Sequence, residues 1–202
     1  MLTGIPEKAV VDYLCGSIAC TNEIEAKDLC KELLALPLEK IPALLLQYSA
    51  IHEVTTGNIP QLSDLSIALY RVPRVLVEAN VPLSYEELGS SIYPSRLSGA
   101  QGKYGEGHGK LATALDLASC AKQNHHWRFA SAPMGKLFCE LPQEDKDQLL
   151  QRLCYRVPII QHMVTSNDPI AEMDRCLSIL AETTRKRRRR NVLDLYAFAT
   201  NT

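Results

Sequence analysis

The 202-residue chain contains no run of 18 or more apolar residues, so it offers no candidate membrane-spanning helix. Its start, MLTGIPEKAVVDYL, also lacks the basic opening and unbroken apolar stretch of a secretory leader. A cytoplasmic protein with no membrane partner is expected. Aromatic residues are scarce, with one Trp and three Phe, whereas Leu, Ala, Glu, Lys and Arg are abundant, a balance that favours helices over strands. The seven cysteines (Cys15, Cys20, Cys30, Cys120, Cys139, Cys154 and Cys176) are scattered and include no CxxC pair. In a reducing compartment such cysteines are small core residues.

An excess of one charge is missing too, the formal net charge being −1. That would argue against a polyanionic partner if the charge were evenly spread, and it is not. Residues 1–70 carry 4 basic and 9 acidic side chains, while residues 185–202 carry 6 and 1. A phosphate contact acts over a Debye length of about 8 Å, so a local basic surface decides nucleic-acid binding.

What is present reads as helices punctuated by proline and glycine. Up to residue 60 the segments PEKAVVDYLCGSIA, NEIEAKDLCKELLAL and PLEKIPALLLQYSAIHEV follow helical spacing, with Asn22 and Glu25 in the form of a capping box. HEVTTGNIPQL reads as a linker. Residues 64–79 are apolar at helical intervals, with Pro73 as a break or kink. Ser84 and Glu87 form a second capping box on a short helix that Gly89 allows to stop early. A glycine-rich connection, YPSRLSGAQGKYGEGHG, then leads to a helix over about 109–118, and SCAKQNHHWRFASAPMG alternates as a two-stranded ribbon. This order of elements is that of a winged helix-turn-helix, with GHGKLATALDLA entering a groove and KQNHHWRF as the wing. A small helical domain capped by a hairpin without a nucleic-acid role is the alternative.

Beyond Pro142 the apolar face Leu149, Leu150, Leu153, Val157, Ile160 and Met163 marks a helix that Pro158 ends or kinks. Asp168 and Pro169 then provide an N-cap and a first-turn proline for a helix running to about Ala181. Thr183 or Thr184 caps a last helix after a tight turn over Glu182 and Thr183. Val192, Leu195, Tyr196 and Ala199 form its apolar stripe, continued backwards by Arg188, with Arg185, Lys186, Arg187, Arg189 and Arg190 in the same basic run. Like charges three and four residues apart oppose such a helix. A line of phosphates would relieve them, and arginine suits bidentate contacts to phosphate or guanine edges. A basic tail or a localisation signal is the plainer alternative.

Enzymatic readings fail in detail. A phosphate loop ending at Gly109 and Lys110 needs glycine in place of Tyr104 and Ser or Thr in place of Leu111. Lys103, Tyr104, His108 and Lys110 are instead the types that touch a nucleic-acid backbone. His108, His125 and His126 with Cys120 match no closed zinc module. Glu140, Glu144, Asp145, Lys146 and Asp147 read as the acidic start of a helix rather than a nuclease site. No catalytic residue, cofactor or metal is expected.

Taken together, LSYEELGSSI, GHGKLATALDLASC, the ribbon ending WRFASAPMGKLF, DQLLQRLCYRVPIIQHMV and CLSILAETTRKRRRRNVLDLYAFA resemble, over about residues 64–200, the tandem winged-helix regions of bacterial restriction and related defence-system proteins. The family's Thr-x-x-Arg-Arg step is matched loosely by Thr184, Arg187 and Arg188, while Tyr196 stands where the pattern often has tryptophan. The residue pattern of 1–60 gives a helical N-terminal unit, and the resemblance implies that a winged helix-turn-helix (61–135) and a second helix-turn-helix with a basic C-terminal helix (136–202) follow it in a mainly α protein. The expected partner is double-stranded DNA, bound by a homodimer. Candidate contacts are Arg185 to Arg190 in the basic run, Lys103, Tyr104, His108 and Lys110, and, on the wing, Lys122, His125, His126 and Arg128. The role would be a transcriptional regulator or a DNA-recognition component of a defence system. A helical protein-interaction adaptor and a restriction nuclease with an unrecognised site are the competing readings.

Overall fold

A computed structural model describes residues 4–95 and 98–201. Arg96 and Leu97 of the glycine-rich connection lie outside the described residues. The protein is mainly helical with one small sheet, and among the described residues no helix is long and apolar enough to cross a membrane. In chain order the helices are α1 (Glu7–Leu14), α2 (Glu23–Ala35), α3 (Ile41–Gln47), α4 (Val72–Ala79), α5 (Tyr85–Ile92), α6 (Ser98–Ala114), α7 (Pro133–Glu140), α8 (Gln143–Leu153), α9 (Pro158–Thr165), α10 (Pro169–Leu177) and α11 (Glu182–Thr200). The strands are β1 (Leu83–Ser84), β2 (Ala118–Gln123) and β3 (His126–Ser131).

The chain divides into two compact units rather than the three consecutive ones expected from sequence. Unit 1 combines the described residues up to Ala19 with Lys27–Ile59 and the described residues from Gln143 onward, and unit 2 consists of Cys20–Ala26 and the described residues of Pro60–Pro142. The two ends of the chain thus build one unit.

The physical reason lies in buried polar side chains of the C-terminal half that bind backbone carbonyls of the N-terminal half. Arg152, 6% exposed, donates to the carbonyl of Leu36 at 2.7 Å. Arg156 donates to the carbonyls of Tyr13 and Ile18 and lies 4.3 Å above the Tyr13 ring. Gln161, fully buried, donates to the carbonyls of Cys15 and Tyr155 and accepts from the backbone N–H of His52. Each such group would cost more than about 1 kcal/mol if left without a partner. The N-terminal segments are therefore tied in by need as well as by packing.

The longer segment of unit 2 begins with a helix continuous from residue 65 to Ala79, in which a π-helical stretch, Ile67–Arg71, precedes Pro73, so that the proline does not end the helix. The β1 strand leads into α5, capped as expected by the reciprocal Ser84–Glu87 box. At α2 the box is only half formed. Asn22 accepts from the N–H groups of Ile24 and Glu25, but the Glu25 carboxylate reaches Thr21 instead. The three-stranded antiparallel sheet has the order β1-β3-β2, with β2 and β3 joined by a two-residue turn.

From Ser98 onward the glycine-rich connection is helical, forming the first part of α6. Its glycines serve contact instead of flexibility. A Cβ at Gly105 would overlap the carbonyl oxygen of Tyr85 and lie 2.8 Å from the amide nitrogen of Gly89. A Cβ at Gly89 would in turn overlap the carbonyl of Gln101. Gly89 thus lies within α5 as a point of close approach and does not stop it. Further along, Gly109 makes room for the ring of Phe129, which stacks on Tyr85 at 5.3 Å between centroids. Leu69, Leu76, Leu88, Ile92, Leu111, Leu115 and Phe138 complete the core.

Substituting Gly105→Ala should therefore destabilise unit 2 by about 1–3 kcal/mol or more through backbone overlap. Gly99→Ala, in the same helix but with no atom in reach, should leave stability unchanged or raise it by up to about 1 kcal/mol. Urea unfolding of the two variants beside the parent measures both, and equal effects would remove the packing argument.

Candidate nucleic-acid interface

The outward face of α6 is a stripe of Gly99, Lys103, Lys110 and Ala114, with Glu106 half-buried among them. These positions recur at helical intervals, as one helix face requires. Lys110 forms an exposed ion pair with Glu106 at 2.6 Å. At the turn between β2 and β3, Asn124 and His125 have φ values of 49° and 66°, the pair of positive angles that marks a type I′ hairpin. Lys122, His125 and His126 are exposed there, and Trp127, paired across the strands with Lys122, is 51% exposed.

Three expected contacts of unit 2 are placed differently. His108 is 1% exposed, its Nδ1 bonded to the Tyr104 carbonyl and its Nε2 3.4 Å from Ser63 Oγ, so it cannot reach a phosphate. Tyr104 is half-buried against the ring of Tyr93, 4.8 Å away. Arg128 points back into the unit, donating to the carbonyl of Pro82 and pairing with Glu87 at 3.2 Å. Helical periodicity could have signalled the first two of these, since Tyr104 and His108, four residues apart, lie off the Lys103–Lys110 stripe. The placement of Arg128 was set by packing across the sequence.

In unit 1 the basic run is helical, as expected, but its cap is not. The α11 helix starts at Glu182 behind Ala181 with no side-chain cap, and Thr184 lies inside it; the turn from α10 covers 178–181. Val192, Leu195 and Ala199 are buried as the stripe predicts. Arg188 turns inward and donates to the carbonyls of Thr56 and Ile59, and burial lowers its pKa. Arg185 lies against the helix start, its Nη2 3.4 Å from the Leu180 carbonyl. Lys186 pairs with Glu182, Arg189 with Asp174 and Arg190 with Asp194, all on the surface. Arg187 is exposed. The run therefore divides into an inward group that holds the fold and an outward group, Lys186, Arg187, Arg189 and Arg190, facing solvent or acidic neighbours.

For metals, His108, His125, His126 and Cys120 are not assembled, standing on α6, the hairpin turn and the two strands of the hairpin. Sequence reasoning missed a different cluster, His162 on α9 with Glu172 and Cys176 on α10, whose donor atoms lie within 4.8 Å of one another. Its one sequence signal is the four-residue spacing of Glu172 and Cys176 on a helix. Of the other cysteines, Cys15, Cys20, Cys30 and Cys154 are buried, and burial pushes the Cys30 thiol up to about 11. Cys120 and Cys139 are half-buried.

Comparison of the chain with protein-family profiles, with curated proteins and with solved structures gives no significant match.

Two outcomes follow from this placement. Arg188→Ala should lower the stability of unit 1 by about 1–3 kcal/mol, because two carbonyls lose their donor in a partly buried site, while Arg187→Ala should leave the denaturation midpoint unchanged. Burial also lowers the pKa of His108 from its ordinary 6.5. The unfolded chain then binds more protons below pH 6.5, so stability present above that pH is lost as pH falls through the window down to the folded-state value. A denaturation series from about pH 8 down to about pH 5 should show this fall, flattened in His108→Gln.

Proposed function

We propose that the protein binds double-stranded DNA through a winged helix-turn-helix formed by unit 2. The observation that carries this reading is the sequence of helix, β1, α5, α6, β2 and β3 with sheet order β1-β3-β2, which leaves α6 with one lysine-bearing face outward and a hairpin bearing Lys122, His125, His126 and Trp127 beyond it. In this reading α6 enters the major groove, Lys103 and Lys110 contact phosphate or base edges, and the hairpin is the wing. The Lys110–Glu106 pair is exposed and worth at most about 1 kcal/mol, so a phosphate can replace the carboxylate.

The outward group of α11 supplies a second basic surface. Its ion pairs are likewise exposed and exchangeable, and Arg187, Arg189 and Arg190 are the residue type suited to phosphate. The biological role that fits is transcriptional regulation or DNA recognition within a defence system, as the resemblance implies. The adaptor reading draws on one observation, that acidic neighbours already meet much of the basic run.

Duplexes of random sequence, titrated over several salt concentrations with magnesium present, test the proposal. Replacing Lys103, Lys110 and Lys122 by Gln should weaken binding and reduce the slope of log K against log salt by about 0.9 for each phosphate that is no longer neutralised. Replacing Arg187, Arg189 and Arg190 by Gln, with Arg188 kept, should do the same for the second surface. Binding that neither set of changes alters would end the DNA reading, and cleavage of the duplex would favour a nuclease.

A further inference from the structure

Three side chains that the DNA reading does not use converge where α9 meets α10. Glu172 and Cys176 are four residues apart on α10, so one helical turn brings both onto the face met by His162 of α9. His162 Nδ1 is 3.1 Å from Glu172 Oε1, and Cys176 Sγ is 3.9 Å from the same oxygen. Donors around one tetrahedral zinc, with bonds of about 2.0–2.3 Å, stand roughly 3.3–3.8 Å apart. The two separations bracket this range, and all three donors lie within 4.8 Å of one another, so the cluster is close to a ligand set for one ion.

The hydrogen bonding of the imidazole supports the same arrangement. His162 Nε2 lies 3.0 Å from the carbonyl oxygen of His52. A carbonyl only accepts, so Nε2 carries hydrogen, and in the neutral ring Nδ1 turns its lone pair toward a carboxylate that also only accepts. Two lone pairs at that distance require a cation between them, either a proton or a metal ion. A carbonyl behind the far nitrogen is also the usual device that orients a metal-bound histidine and raises its basicity.

We propose that His162, Glu172 and Cys176 bind one zinc ion, with solvent completing the coordination. Thiolate and imidazole together favour zinc over magnesium or calcium. The Cys176 proton passes to solvent as the metal binds. Arg175 is the competitor. Its Nε holds Glu172 Oε2 at 2.9 Å while its Nη2 occupies Oε1, the oxygen nearest His162. Its side chain is 63% exposed, so Nη2 can withdraw and leave the Nε contact in place. The ion would then join α9 to α10 within unit 1, just before the basic helix α11.

The test is titration of the reduced full chain with cobalt chloride, followed by zinc. One equivalent of cobalt should produce a thiolate-to-cobalt charge-transfer band, zinc should abolish it, and zinc should raise the thermal midpoint. C176S and H162Q should lose the band and the zinc shift. R175Q, freed of the competing cation, should bind cobalt several-fold more tightly. Absence of the band in the parent protein, or its persistence in C176S through another cysteine, overturns the proposal. Should C176S lose its helical circular dichroism, E172Q decides instead: it should weaken cobalt binding by about tenfold or more, and unchanged affinity overturns the proposal as well.

Discussion

The backbone-to-backbone approach of α5 and α6 is the constraint on which unit 2 rests. Gly89 and Gly105 face each other with no Cβ between them, and each carbonyl across the contact occupies the place a side chain would take. This closeness fixes the rotation of α6, so that Leu111 and Leu115 enter the core while Lys103 and Lys110 emerge on the other face. It also sets the place of the hairpin, because Phe129 of β3 lies against Gly109 and stacks on Tyr85 of α5. The candidate interface is thus a by-product of a glycine contact made on the opposite side of the helix.

Unit 1 is held by another principle. Arg152, Arg156, Gln161 and Arg188 use their side-chain N–H donors to bind carbonyls of loops and helix ends far away in the chain. Such groups contribute little net stability when satisfied and cost much when broken. They therefore specify which segments meet as much as how firmly. The joining of the chain's two ends in one unit follows from these bonds together with the buried faces of α1, α3, α8 and α9.

The basic run shows how one charge pattern serves two purposes. Arg188, on the apolar stripe of α11, is drawn inward and becomes a donor to the 56–59 segment, while its neighbours remain outside and meet Glu182, Asp174 and Asp194. Those acids relieve the like-charge repulsion that a free helix of this composition would suffer. The helix therefore needs no phosphate in order to form, and its outward charges stay exchangeable.

Local chemistry was legible in the sequence. The predominance of helix, the Ser84–Glu87 cap, the Asp168–Pro169 start of α10, the two-stranded ribbon within 119–135 and the stripe Val192, Leu195 and Ala199 all depend on residues within a few positions of one another. The glycine-rich segment was misjudged because glycine reads locally as flexibility, whereas here its worth lies in a contact with a helix more than ten residues earlier. Thr184 does not cap because α11 begins two residues before it, at Glu182 behind Ala181, which leaves Thr184 inside the helix. The carbonyl partners of Arg128 and Arg188, the meeting of His162 with Glu172 and Cys176, and the merging of both chain ends into unit 1 were decided only by tertiary structure. Periodicity shows that a residue has an inner face to join, but its partner across that face is chosen by shape and by donors that must be satisfied, and neither is written within the span of one helix.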